Sequence, residues 1–321
     1  MRATGVGSMP GTDLEVSLGV VTRELHDLRF VPELPARGVQ AGMIGRSLSV
    51  LDGLSADLQP AAWRLTDAPG VDLRRARSLL AQDLDLVEEQ WHDHDGLLKQ
   101  QVTGPLTLAA TVELPRGERV LSDHGARRDL AESLAIGVAE HVAALRRRVP
   151  RAEIVVQVDE PMLPAVLAAQ VPTASGFGRY RTVHPPEADA LLRRVVDAVR
   201  DAGARPVVHC CAADVPVALL AGTGFEAISF DVGVVSPGDA WAEAFEAGTD
   251  LWPGVLPTLE PIGEKAARER LTAFMGRLGF DVREHADRLV VTPGCGLAGA
   301  DDEWSRRGLA LLARMASDLS G

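Results

Sequence analysis

The residues best equipped for chemistry in this chain stand at the ends of short apolar runs. His209 and Cys211 are two apart, so an extended backbone turns both to one face and Cys210 to the other. Cys295 stands at the end of another run, within Pro293-Gly294-Cys295-Gly296. Imidazole and thiolate donors favour zinc, and two thiolates argue against magnesium or calcium, which take oxygen ligands. Asp231 closes a further run and either completes a tetrahedral set or serves as a supporting carboxylate or helix cap. Asp159-Glu160 ends the run that begins Ile154-Val155-Val156, where two acids are costly unless paired or put to use. Capping the following helix is the plainer alternative for them. Any single cysteine is as well explained as core, and Cys210-Cys211 has the spacing of a vicinal disulfide. The joint placement of these groups is what favours a metal, with zinc as the expected ion.

These placements depend on the elements around them. Short apolar runs alternate with long segments of helical periodicity, the mark of βα units. Strands are predicted at Ala3–Val6, Leu28–Pro32, Leu97–Val102, Glu153–Val158, Pro206–His209, Ala227–Phe230, Leu251–Gly254 and Arg288–Thr292. Helical spacing runs over Ala126–Arg148 and Glu187–Ala202, and the two long intervals around the third strand predict extra helices. The expected fold is α/β, a (β/α)8 TIM barrel with residues 1–321 as a single domain. No Gly-x-Gly-x-x-Gly follows the first strand to suggest an open dinucleotide-binding sheet.

In such a barrel the active groups gather at the C-terminal ends of the strands. Those ends deliver Ser8, Glu33, Thr103, Asp159 with Glu160, His209 with Cys211, Asp231, and Cys295; the seventh offers nothing ionisable until Glu260. The loop 176–186 carries the only tyrosine, Tyr180, with Arg179, Arg181 and His184, and is long enough to cover a substrate. The tract His92-Asp93-His94-Asp95 imitates a metal site but is expected to be a solvated turn. His26, His124, His141 and His285 are expected at the surface or at caps, and Gly222-Thr223-Gly224 reads as a turn.

Composition narrows the partners. The net charge is −12, the basic residues are almost all arginine, and no basic stripe suggests a nucleic-acid surface. No run approaches the ~18 apolar residues of a membrane span. The first 19 residues lack the basic start and apolar stretch of a signal peptide. Three cysteines make no disulfide framework. The expectation is a cytoplasmic protein with no nucleic-acid or membrane partner.

Five motifs resemble, in order and across the whole chain, the catalytic domain of cobalamin-independent methionine synthase. They are Val6-Gly7-Ser8, Val102-Thr103-Gly104-Pro105-Leu106-Thr107, Val156-Gln157-Val158-Asp159-Glu160-Pro161, His209-x-Cys211 and Pro293-x-Cys295-Gly296-Leu297. The resemblance implies a barrel with zinc at its mouth that transfers a methyl group from a methyltetrahydrofolate to the sulfur of homocysteine. It further implies that His209, Cys211 and Cys295 ligate zinc, with Asp231 where the family carries a fourth ligand, usually Glu. Ser8 and Asp159 then hold the amino-acid end of homocysteine, Glu33 grips its amine, and Thr103 and Glu160 border the same pocket. Such a site has physical sense, because a free thiol with a pKa near ~8.5 is mostly protonated at neutral pH and zinc coordination deprotonates it.

Two features depart from the family's pattern. Full-length members are more than twice as long and carry an N-terminal barrel that helps bind polyglutamylated folate; these 321 residues hold no counterpart. The family also has a histidine after strand seven, assigned to protonating the folate leaving group, where this chain reads Gly254-Val255-Leu256-Pro257-Thr258-Leu259-Glu260. Either Glu260 or His184 takes that catalytic place, or the donor is one that needs no acid, such as a methyl-corrinoid protein or another small methyl carrier. Two other readings stand beside this one. One is an alkyl transferase acting on another thiol such as coenzyme M, which offers Glu33 and Asp159 no ammonium. The other is a non-catalytic protein that binds zinc or a thiol metabolite.

Overall fold

A computed structural model describes residues 1–320. In chain order the elements are β1 (Arg2–Ala3), α1 (Leu14–Glu24), β2 (Leu28–Phe30), α2 (Met43–Val50), β3 (Ser55–Leu58), β4 (Trp63–Thr66), α3 (Val71–Trp91), β5 (Leu97–Thr103), α4 (Pro105–Thr111) and α5 (His124–Arg148). They continue with β6 (Glu153–Asp159), α6 (Leu163–Leu167), α7 (Pro185–Asp201), β7 (Arg205–His209), α8 (Val217–Thr223), β8 (Ala227–Asp231), α9 (Asp239–Glu246), β9 (Asp250–Leu256), α10 (Glu264–Arg277), β10 (Val290–Pro293) and α11 (Asp302–Ser320).

All eight predicted strands are present and form one parallel sheet in the order β1-β10-β9-β8-β7-β6-β5-β2. The sheet curls into a (β/α)8 barrel. Its last seam, between β1 and β2, is joined beyond the ends of both short strands. There Ser8 and Glu33 form a parallel bridge, with Glu33 N–H donating to Gly7 O at 3.0 Å and Met9 N–H to Glu33 O at 2.9 Å.

Alternation along each strand sorts the side chains into two cores. Ile154, Val156 and Val158 join a large cluster with residues of the surrounding helices. Leu28, Leu97, Val155, Val207, Ala227, Trp252 and Val290 make a separate cluster, one from each of seven strands, which fills the inside of the cylinder. Two residues further along β5 and β6, on the same inward face, stand Lys99 and Gln157, both buried. Among the described residues no helix is long and apolar enough to cross a membrane.

The interval after β2 differs from expectation. Besides helix α2 it holds a short antiparallel hairpin, β3 and β4. The hairpin is fastened from outside by the buried carboxylate of Glu113, which accepts from Arg64 Nη2 at 2.7 Å. Two four-residue strands bonded to distant groups leave little local pattern to read. Gly222 and Thr223 belong to the last turn of α8 rather than to a turn, and only Gly224 turns the chain, ending the helix at φ +102°.

His141 and His94 correct the surface assignment. His94 is buried and its ring faces Leu97 O at 3.2 Å. His141 is buried on α5, and burial, reinforced by Arg46 and Arg148, pulls its pKa from near 6.5 to about 4. Between those values the unfolded chain binds a proton that the native fold refuses. The stability contribution is therefore intact above pH 6.5 and lost as pH falls toward 4, by up to about 3 kcal/mol. Denaturant unfolding across that window is expected to show this slope in the native protein and a shallower one in His141→Leu. Equal slopes would show that His141 is not its source.

Candidate functional site

Two strands aim three ligand atoms at one point. His209 ends β7 and Cys211 follows two residues on, so both face inward. Cys295 needs help to join them, since unbroken alternation from the inward Val290 and Thr292 would turn it away. The pairing of β10 with β9 slips between Thr292 and Pro293, and that slip re-aims the cysteine. The His209 nitrogen and the two Sγ atoms then lie within 4.8 Å of one another, with the sulfurs 3.2 Å apart. Glycines on either side of Cys295 allow the crowding. A Cβ at Gly294 would collide with the Asp231 carboxyl, and one at Gly296 with Ser8 Oγ.

The donor set fits a metal of zinc's kind. His209 is buried, its Nδ1 is held by Ser229 Oγ at 2.9 Å, and its Nε2 has no partner among the described residues. That is the arrangement of an imidazole whose outer nitrogen is fixed and whose inner nitrogen is free to ligate. The contact with Cys211 draws the Cys295 thiol down to about 4, against burial and with help from His209, while the same contact and burial push Cys211 up. Cys210 faces away, fully buried, and burial raises its thiol to about 12, so it is inert.

Next to this cluster lie two buried carboxyl groups, Asp159 and Glu33. Asp159 is the backbone neighbour of His209 across the β6–β7 ladder. Burial raises Asp159 to about 7; Glu33 adds to the rise, while His209, Gln157 and Lys99 oppose it. Glu33 is buried at the seam beside Ser8, and burial raises its pKa too, against Arg46 and Lys99. Arg46 Nε stands 3.6 Å from Glu33 Oε1, and its Nη1 is anchored by Asp83 at 2.7 Å. Two carboxyl groups desolvated to this degree at the strand ends mark the place as a candidate site.

Other expected members are placed differently. Glu160 is fully buried and accepts from Leu106 N–H at 2.9 Å, Thr107 N–H at 2.8 Å and Thr107 Oγ1 at 2.7 Å. It ties down the start of α4, the helix that follows β5, rather than the one after its own strand, and its oxygens are used up in doing so. Thr103 Oγ1 accepts from Ser47 and donates to Met43 O, which commits it to α2. Asp231 lies outside the three-residue cluster; its Oδ1 accepts from Gly233 N–H at 2.7 Å and stands 3.8 Å from Arg270 Nη2. His184 is exposed just before α7, and Glu260 is exposed on the loop after β9. Neither is drawn into the cluster. Tyr180 is buried, donating to Glu118 Oε2 at 2.6 Å and accepting from Arg119 N–H, so it fastens its loop to the rim beside α5. Lys99, Gln157 and Arg46 escaped the sequence reading. A lysine inside an apolar run of an arginine-rich chain was the available signal.

Comparison with known proteins agrees with this geometry. The model of a family described as cobalamin-independent synthase, catalytic domain, matches residues 86–318. Among curated sequences none matches significantly. Among solved structures, a B12-independent methionine synthase from Shewanella sp. W3-18-1, in complex with selenomethionine, superposes with a TM-score of 0.62 at 13% identity. The superposition covers 99% of this chain and 97% of that one. A GH5_18 protein from Streptomyces cattleya is more distant, with a TM-score of 0.49 at 16% identity over 99% of this chain and 80% of that one.

Proposed function

Because the chain belongs to the cobalamin-independent synthase family and is a methyltransferase by that membership, we propose that it methylates the thiol of homocysteine to give methionine. The observation that carries this reading is the placing of a His-Cys-Cys cluster and two buried carboxylates at one barrel mouth. His209, Cys211 and Cys295 would hold zinc, with Asp231 proposed as the fourth ligand. Zinc bound there supplies Lewis acidity that favours the thiolate form of the substrate sulfur. Glu33 and Asp159 take the substrate ammonium, and Ser8 with its loop takes the carboxylate. A substrate gripped at that end presents its sulfur to the metal cluster in one orientation.

The reaction moves the methyl group to sulfur and releases the thiol proton. A folate donor needs a proton on its leaving nitrogen, and the exposed Glu260 and His184 are the side chains proposed to deliver one. We favour a methyl-corrinoid or another small carrier as donor, because no imidazole stands on the loop after β9. Residues 1–321 are read as one catalytic domain acting in the cytoplasm.

The test is turnover. Zinc-loaded protein is given homocysteine with methylcobalamin, a methyl-corrinoid protein or methyltetrahydrofolate, and methionine is measured by mass spectrometry. Methionine from a corrinoid donor above the uncatalysed rate is expected. Methionine from the folate alone would overturn the donor assignment. None from any donor, with no calorimetric binding of homocysteine, would overturn the acceptor as well.

A further inference from the structure

We propose that Lys99 is a positioning residue for the amino-acid end of the substrate, acting from beneath the pocket through Gln157 and Gln101. The proposal rests on the reading that Asp159 and Glu33 receive the substrate ammonium.

Lys99 is fully buried inside the barrel and, among the described residues, makes no ion pair. Its Nζ donates to Val6 O at 2.6 Å, to Gln157 Oε1 at 2.7 Å and to Gln101 Oε1 at 3.3 Å. Those three bonds use all its protons. Gln157 passes the interaction on, its Nε2 donating to Asp159 Oδ1 at 2.7 Å and to Val6 O at 2.9 Å. Gln101 does the same toward the other side, donating to Val31 O at 2.9 Å. One ammonium therefore braces the segments that lead to Ser8, Glu33 and Asp159. The metal-site residues come from β7 and β10 and accept no hydrogen bond from it.

Burying an ammonium beside Phe30, whose ring centroid is 5.5 Å from Nζ, is costly. A methionine would fill the same space without that cost, so packing alone does not explain the lysine. Its hydrogen bonds do. Lys99 Nζ fixes Gln157 Oε1, which turns Gln157 Nε2 onto Asp159 Oδ1. Arg46 is anchored to Asp83 and reaches only Glu33. Lys99 is thus the group that keeps the Asp159 carboxyl aimed when a substrate ammonium arrives.

The experiment compares zinc-loaded native protein, Lys99→Met, Gln157→Leu and Asp159→Asn. Calorimetry measures binding of homocysteine and of 4-mercaptobutyrate, which keeps the thiol and carboxylate but lacks the amine. Lys99→Met is expected to weaken homocysteine by about tenfold or more, the effect of losing one hydrogen bond to a charged group. Binding of 4-mercaptobutyrate and the zinc content should be unchanged. Gln157→Leu should reproduce the pattern if Lys99→Met does not fold, and Lys99→Met added to Asp159→Asn should cost nothing further. If both thiols weaken alike, if zinc is lost, or if homocysteine binding is unaltered while Asp159→Asn abolishes the preference for the amine, the role of Lys99 is refuted. If Asp159→Asn itself leaves that preference intact, the pocket assignment fails and takes the proposal with it.

Discussion

Cys295→Ser is expected to strip the metal from the protein while leaving the barrel folded. Cys211 and Cys295 face each other at 3.2 Å from different strands, so removing one sulfur breaks the set without touching His209. Serine keeps the side-chain size and leaves Gly294 and Gly296 in place, so the surrounding backbone has no reason to move. A hydroxyl is a far poorer zinc ligand than a thiolate. The loss should therefore exceed the roughly 10–100-fold that removal of an outer hydrogen-bonding partner costs. Ser229→Ala provides that smaller reference, because it frees His209 Nδ1 but deletes no ligand. Elemental analysis after desalting against a weak chelator reads both, and Asp231→Ala in the same series tests the proposed fourth ligand. Full zinc retention by Cys295→Ser would remove the distant cysteine from the site, and the thiol-activating role of the mouth with it.

The second large effect belongs to the paired carboxylates. Asp159→Asn and Glu33→Gln each remove one charge from a buried pocket that would otherwise enclose an ammonium. Truncating one partner of a buried charge pair costs about 3 kcal/mol, roughly a 100-fold loss in kcat/KM for homocysteine. Zinc content should stay at the native level, because neither residue belongs to the ligand cluster. The same variants separate the acceptors. A thiol such as coenzyme M carries no ammonium, so turnover of an acceptor of that kind would be spared. Unchanged kcat/KM for homocysteine in both variants would argue for such an acceptor.

Much of this architecture was legible before any coordinates. The short apolar runs that end in polar residues located all eight barrel strands, and the rule that chemistry sits at the strand ends placed His209, Cys211 and Cys295 together. What escaped depends on partners far away in sequence. Glu160 looked like a substrate ligand or a cap for the next helix, yet it binds α4, which precedes its own strand by more than forty residues. Lys99 looked like one of two stray lysines, and only the curl of the sheet brings Val6 and Gln157 to it. His141 carried no mark of burial, because helical spacing is degenerate on a helix covered on several sides. The slip that re-aims Cys295 is likewise invisible in the letters Thr292-Pro293, although the glycines around the cysteine hinted at crowding.

The seam between β1 and β2 has a consequence for how binding and folding are linked. Every other neighbouring pair of barrel strands is zipped by a ladder, but here the cylinder is held shut mainly at its rim, by Ser8 and Glu33. A molecule whose carboxylate rests on Ser8 and whose ammonium rests on Glu33 spans that joint as a clasp spans a ring. Its affinity then enters the stability of the closed cylinder by mass action. Occupancy and closure of that joint would then be a single equilibrium.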